Sequence, residues 1–244
     1  MRNIEKTALV TGGSRGIGKA IAKDFSKTGI DVVITGRDKG RLKDTAEELK
    51  THCKNAYWID ADLGTDLGLD RILSFLKEKN VEVDVLVNNA AIIHSSTPLI
   101  DFDMEIWQEV INVNLIGAVK ITKLLLPGMV SRNYGKIINI SSIGGRKGAA
   151  GRSAYRVTKA GLISFTESLA AEVKSSGIDV NCICPGSVVT EGYVEAFGQQ
   201  SIENDHMMDP SEIAALCSFL VGDHSTAITG ATIDAYGPSN PLFR

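Results

Sequence analysis

An α/β domain, doubly wound about a parallel sheet of about seven strands with helices on both faces, is the fold these 244 residues predict. Three observations carry it. Apolar runs of strand length alternate with amphipathic runs of helical period from one end of the chain to the other. The strand-like runs are nearly continuous in apolar residues, as expected when both faces of a sheet are covered. A glycine-rich turn follows the first apolar run at once and opens into the first helical pattern. No stretch reads as a linker, repeat or low-complexity tract, so residues 1–244 are read as one domain.

The elements follow in order. "TALVTG" at 7–12 is a strand running into the glycine turn. Residues 17–29 place Ile17, Ala20, Ile21 and Phe25 at helical spacing and stop at Gly29. "IDVVITG" at 30–36 is the second strand and 37–52 the second helix. Residues 56–63 and 83–90 are strands, with a helix at about 67–79 between them. A long helical region spans about 104–131, with a break expected near Pro127 because proline removes a backbone donor. "GKIINISS" at 135–142 is a strand, 152–177 a long helix, and "IDVNCICPG" at 178–186 a strand. A helix opened by Pro210 and a short final strand at 230–236 complete the pattern. The segment 191–209 is read as a short, open stretch beside the site.

Composition excludes several classes. Hydrophobic residues make up 43% and charged residues 23%, with a formal net charge of -3, so nothing in the overall field attracts nucleic acid or a membrane surface. The N-terminal apolar run is too short for a signal peptide, and no apolar run is read as approaching the length of a membrane span. Cys53, Cys182, Cys184 and Cys217 form no C-x-x-C pair and have no histidine partners at zinc spacing. Cys182 and Cys184 alternate on one strand, so both are expected on the same buried face. A cytoplasmic protein with free thiols and no metal is the expectation.

The turn "TGGSRGIG" sets Gly12, Gly16 and Gly18 between a strand and a helix. That context suits a dinucleotide pyrophosphate, which needs a tight turn, close backbone approach and a helix N-terminus aimed at negative charge. An acidic residue after the second strand would favour NAD. Here Gly36 and Arg37 hold that place, and Arg15 lies in the glycine turn itself. Two guanidiniums suit a 2′-phosphate, so NADP(H) is favoured over NAD(H), with Asp38 the competing observation.

Tyr155 and Lys159 stand four apart in "SAYRVTK", on one face of the helix expected at 152–177. Alone, that spacing is common. Taken with Thr11-Gly12-Gly16-Gly18, Asp62, "NNA" at Asn88, Asn89 and Ala90, Asn114 in "NVNL", Ser142 in "NISS" and "PGSVVT" from Pro185 to Thr190, it resembles the short-chain dehydrogenase/reductase family over nearly the whole chain. The likeness is greatest to the 3-oxoacyl-thioester reductases and their alcohol-dehydrogenase relatives. The resemblance implies a Rossmann domain and interconversion of a ketone and a secondary alcohol. The long helices expected around Met104 to Ser131 and Ser153 to Lys174 carry apolar residues on more than one face, which predicts a homodimer or homotetramer.

The resemblance also implies roles. Tyr155 would pass the proton, aided by the Lys159 ammonium, because a free phenol with a pKa of about 10 is a poor base at neutral pH. Ser142 would hold the substrate oxygen, and Asn114 would anchor a proton-relaying water. Cofactor contacts would come from Gly12, Ser14, Arg15, Gly16, Ile17, Gly18 and Arg37, from the adenine-side pair Asp62 and Leu63, and from Asn89 and Ala90. Residues 183–190 would pass the nicotinamide, with Pro185, Gly186, Val188, Val189 and Thr190 near it, while Tyr155 and Lys159 also touch the cofactor. Ala91 departs from the family's usual glycine after "NNA", and the tail "DAYGPSNPLFR" lacks its usual glycine pair.

Arg156 stands where the family usually has a small residue, with Arg146, Lys147 and Arg152 nearby. From Val110 through Thr166 the chain has nine Lys or Arg and no Asp or Glu. This predicts a local positive field for an anionic carbonyl or alcohol substrate, contacted by Ser142, His94, Arg146, Arg152 and Tyr193. A solvated or inter-subunit patch is the alternative. Ser176, before Gly177, weighs against an acyl carrier, since carrier-docking members tend to be basic there. The other functions the sequence admits are an NAD-dependent alcohol, sugar or hydroxy-acid dehydrogenase, and a non-enzymatic dinucleotide sensor on the same fold.

Overall fold

The computed structural model describes residues 6–202 and 207–238. Seven strands, β1 (Thr7–Thr11), β2 (Asp31–Gly36), β3 (Ala56–Asp60), β4 (Val85–Asn88), β5 (Gly135–Ile140), β6 (Ile178–Pro185) and β7 (Thr232–Ala235), form one sheet in the order β3-β2-β1-β4-β5-β6-β7. Every pairing is parallel. The strand order reverses between β1 and β4, and a crevice opens at such a switch point beyond the carboxyl ends of the strands.

Successive side chains of a strand point to opposite faces, and both faces here are covered. Ala8 and Val10 of β1, with Val32 and Ile34 of β2, enter one core; Leu9 and Val33 enter the other. The first core is closed by α1 (Gly16–Lys27), α2 (Lys39–Leu49) and a C-terminal helix, Pro210–Val221, through Ile21, Phe25, Leu42, Ile213 and Cys217. The second is closed by α3 (Asp66–Glu78) and two long helices through Ile72, Ile121, Met129, Leu169 and Val173. That two-sided burial is why the strands read as continuous apolar runs.

The long helical region departs from expectation. It runs as α4 (Met104–Ile111), a π-helical turn at Asn112–Gly117, and α5 (Ala118–Arg132). The irregularity lies at the π-turn rather than at Pro127, which is inside α5 on its exposed face. There the carbonyl of Lys123, left without an amide donor, is on the solvent side, so the helix continues. By length and composition Met104–Arg132 would suffice to cross a bilayer, which corrects the reading that no run comes close. In this fold it packs on the rest of the protein, α5 burying Ile121 and Met129 against the sheet and α4 burying Val110 against Phe102 and Ala154.

Next come α6 (Ser153–Val173), which carries Tyr155 and Lys159, then α7 (Glu191–Phe197) and α8 (Pro210–Val221). α7 lies within the stretch read as open, and Thr190 caps it by accepting the Tyr193 N–H. Asp209 and Glu212 form a reciprocal capping box at the start of α8. All four cysteines are buried and free; Cys182 and Cys184 share one face of β6 and pack against Tyr236. Tyr236 thus ties the divergent tail to the sheet, and residues 239–244 lie outside the described residues.

Candidate functional site

A cavity of about 930 Å³ lies along the carboxyl ends of the strands, from the glycine turn after β1 to the N-terminus of α6. Backbone contacts explain the glycines at its first end. A Cβ on Gly18 would stand 2.2 Å from the Gly12 carbonyl and 2.4 Å from Asn89 Nδ2. Gly12 and Gly16 have φ of +65° and +51°, which other residues rarely adopt. Asn89 Nδ2 donates to the carbonyls of Thr11 and Gly12, pinning the turn to the end of β4. α1 begins without a side-chain cap, which leaves its first amides directed at the cavity. The Gly16 amide donates to Glu191 Oε2 at 3.1 Å, so an anionic group already rests at this helix end. The cradle therefore fits a dinucleotide diphosphate, in its close backbone approach and in its preference for negative charge.

Beyond the turn, Arg15, Arg37 and Arg41 line the cavity with Ser14, Asp38, Asp62 and Leu63. Arg15 pairs with Glu195 at 2.5 Å and Arg37 with Glu109 at 3.3 Å. Asp38 is engaged: its Oδ1 accepts the Arg41 amide as the cap of α2, and its Oδ2 meets Arg41 Nε at 3.3 Å. Arg41 was missed in the sequence, because only the helical turn after Asp38 brings it round to this end.

At the other end Ser142, Tyr155 and Lys159 meet on one wall. Ser142 follows β5 and accepts the Gly144 amide at 3.0 Å. Lys159 is 2% exposed; its Nζ donates to the Ile140 carbonyl at 2.8 Å and lies 5.5 Å from the Tyr155 ring centre. Burial pulls the Lys159 ammonium down to about 8. Burial pushes the Tyr155 phenol up, while the Ser142 hydrogen bond and the charges of Arg152 and Arg156 act to bring it down. A cation, a hydroxyl and a phenol thus converge on one space, the equipment for passing a proton to or from a substrate oxygen.

Asn114 is placed differently. It is buried in the π-turn and does not line the cavity. Its Oδ1 accepts the Ile92 amide at 2.7 Å and its Nδ2 donates to the Ile92 carbonyl at 3.0 Å, so it pins the loop after β4. Asn88 is likewise internal, donating to Thr122 and to Asn139, which in turn donates to Thr166. Gly12, Gly16, Ile17, Gly18, Asn89, Ala90, Pro185, Gly186, Val188 and Thr190 all line the cavity, whereas Val189 is on the exposed side.

Two expected substrate contacts are not in the cavity. His94 is buried against the Phe102 ring, with Nδ1 on the Ser95 carbonyl, so it packs the loop. Arg146 turns outward to Asp234, 3.2 Å away, because that carboxylate on β7 offers it a partner. Arg152, Arg156 and Tyr193 do reach the cavity, joined by Ser96 and Phe197. Phe197 had a signal in the sequence, since it lies four residues after Tyr193 on the short helix α7 and the two rings pack at 4.5 Å.

A family model described as short chain dehydrogenase matches residues 6–200. The chain is 34% identical to a 3-oxoacyl-[acyl-carrier-protein] reductase of Aquifex aeolicus, covering 95% of this chain and 96% of that protein. Among solved structures it resembles an L-sorbose reductase of Gluconobacter frateurii, complexed with NADPH and L-sorbose, at 30% identity and a TM-score of 0.88, over 96% and 97% of the two chains. It also resembles a 3-ketoacyl-(acyl-carrier-protein) reductase of Brucella melitensis complexed with NADH, at 28% identity and a TM-score of 0.88, over 96% and 98%.

Proposed function

This chain belongs to the short-chain dehydrogenase/reductase family and is an oxidoreductase most like its 3-oxoacyl-(acyl-carrier-protein) reductase group; from that premise we propose that it interconverts a ketone and a secondary alcohol using NADP(H), with Tyr155 as the proton carrier. The observation that carries this reading is the meeting of Tyr155, Ser142 and buried Lys159 on one wall of the cavity whose far end is the glycine cradle.

The cofactor would lie with its diphosphate over Gly12, Gly16 and the amino end of α1, and its nicotinamide toward Tyr155 and residues 185–190. When bound and reduced, it supplies the electron pair that the carbonyl carbon accepts. The Ser142 hydroxyl donates a hydrogen bond to the carbonyl oxygen and holds it against the phenol. Tyr155 gives its proton to that oxygen as the C–O double bond becomes single, and oxidation runs the same transfer in reverse. The Lys159 ammonium stabilises the phenolate left behind.

NADP(H) is favoured because Arg15, Arg37 and Arg41 gather at the adenine end while the carboxylate of Asp38 is engaged as a helix cap. The relatives solved with NADPH and with NADH keep NAD(H) as the alternative. For the carbonyl compound, the relatives named as 3-oxoacyl-[acyl-carrier-protein] reductase and L-sorbose reductase support a 3-oxoacyl thioester or a sugar.

The test is turnover of 3-oxo thioesters, oxo acids, sugars and cyclic ketones with each cofactor, followed by nicotinamide absorbance. NADPH is expected to be consumed with at least one class, at a kcat/KM about tenfold or more above that with NADH. Tyr155→Phe should lower kcat by about 10²–10⁴-fold, the range for a lost general acid, with NADPH affinity nearly unchanged. Unimpaired turnover in that variant would end the assignment of Tyr155, and equal use of both cofactors would end the preference.

A further inference from the structure

Arg152 and Arg156 bracket Tyr155 in sequence and reach the same end of the cavity. The guanidinium carbon of Arg152 is 5.9 Å from the Tyr155 ring centre and 4.5 Å from that of Phe197, so the group is held between the phenol and α7. One of its nitrogens donates to the His94 carbonyl, and one of Arg156 donates to the Lys147 carbonyl. Those bonds fix the two forks and leave most of their donors free.

These two arginines differ from the others in the described residues. Arg15, Arg37, Arg41, Arg71, Arg132 and Arg146 each have a carboxylate within 4 Å. Arg152 and Arg156 have none among the described residues, although each is only partly exposed to water. A partly desolvated cation without a counter-ion is costly, and an anion that enters the cleft relieves the cost. The acidic residues that line the cavity, Asp38, Asp62 and Glu195, are all engaged with the arginines of the adenine end. Among the described residues nothing acidic lines the end near Tyr155, so none of their side chains competes there for the two forks.

The geometry points to a short oxo acid as the substrate, or the hydroxy acid in reverse, its carboxylate clamped by Arg152 and Arg156 while its carbonyl faces Tyr155. This rests on the reading of Tyr155 as the proton carrier. An arginine fork matches a carboxylate with two parallel hydrogen bonds. The closeness of Arg152 to the phenol ring requires the anion to be only a few bonds from the carbonyl. The phosphates of a long thioester arm are carried too far along the chain to use this clamp. In the reduction, the substrate carboxylate keeps its charge throughout; the carbonyl carbon gains a hydride from reduced nicotinamide and the oxygen gains the Tyr155 proton.

The experiment compares oxo acids having one, two or three carbons between ketone and carboxylate with their methyl esters, and with the matching N-acetylcysteamine thioesters. Turnover is measured with NADPH and NADH in the unmodified protein and in Arg152→Gln, Arg156→Gln and Arg146→Gln. At least one acid is expected to exceed its ester by about tenfold or more in kcat/KM. That preference should shrink toward unity in Arg152→Gln and Arg156→Gln, mainly through KM for the acid, and persist in Arg146→Gln. It should also weaken between 0.1 M and 1 M salt, where the Debye length falls from about 10 Å to about 3 Å. Unchanged NADPH titrations confirm that the variants are folded. Esters or thioesters turned over as well as the acids would overturn the clamp while leaving the ketone reductase reading intact. No turnover with any of these compounds, alongside turnover of a sugar or a cyclic ketone, would overturn the clamp alone; no turnover with those compounds either would defeat the reductase reading, and the clamp with it.

Discussion

Lys159 is the residue on which the proposed chemistry turns, because its charge is what stabilises a phenolate. It is buried, bonded to the Ile140 carbonyl and 5.5 Å from the Tyr155 ring centre. Burial lowers its pKa to about 8, so the ammonium is present below that pH and lost above it. The kcat/KM for carbonyl reduction is therefore expected to fall as pH rises through 8. In Lys159→Arg the guanidinium stays charged across the range, so whatever activity remains should show a flatter alkaline limb. A wild-type profile level to pH 10 would exclude this role for Lys159. Tyr155 and Lys159 were legible in the sequence from their spacing on one helix face. The burial of Lys159 was not, because it depends on β5 and β6 coming to lie beneath α6.

At the scale of elements, α7 holds the least expected arrangement. Two of its carboxylates, one turn apart, already engage the groups that would receive a cofactor's phosphates: Glu191 accepts the Gly16 amide and Glu195 pairs with Arg15. A phosphate-bearing cofactor has to compete with them. Glu195→Gln is expected to tighten NADPH by about two- to fivefold, the scale of an exposed ion pair, and to change NADH much less. Fluorescence titration of the two cofactors measures the difference, and equal shifts for both would show that Arg15 does not meet the extra phosphate. The Thr190 cap and the Tyr193–Phe197 spacing were there to be read in the sequence. What hid α7 is its seven-residue length, too short for a periodic apolar stripe to stand out. Pro127 shows the opposite error. Proline reads as a helix breaker, yet on an exposed face solvent can take over the freed carbonyl, and α5 runs on.

For the whole molecule, stability and assembly follow from what the sheet buries and what it leaves bare. Lys136 and Asp179 are register partners on β5 and β6, their side chains 6% and 19% exposed and 2.5 Å apart. Lys136→Ala leaves a largely buried carboxylate without its partner and is expected to cost up to about 3 kcal/mol. The double replacement Lys136→Met with Asp179→Leu should recover most of that, as read from urea midpoints. Along the outer helices, Met104, Ile106, Ile116, Leu124, Val130 and Val157 are exposed. Exposed apolar side chains of that size favour association with a second copy. Sedimentation at micromolar concentration should give a dimer or tetramer, and Leu124→Glu combined with Val157→Glu should shift it toward monomer. A wild-type monomer would refute the expectation.

By itself the sequence determined the order of the strands and of the longer helices, the glycine cradle and the phenol-lysine pair. Each of these rests on local chemistry: side-chain period, backbone freedom at glycine, and spacing along one helix. Only the tertiary structure decided which of the clustered cations belong to the site. Arg146, Arg152 and Arg156 are alike in sequence, but β7 brings Asp234 to Arg146 and draws it outward. Arg152 is held under Phe197, and Arg156 beside the Lys147 carbonyl, with no carboxylate of the described residues paired to either. Counter-ions come from strands and helices distant in the chain, and composition along one segment cannot show where they arrive.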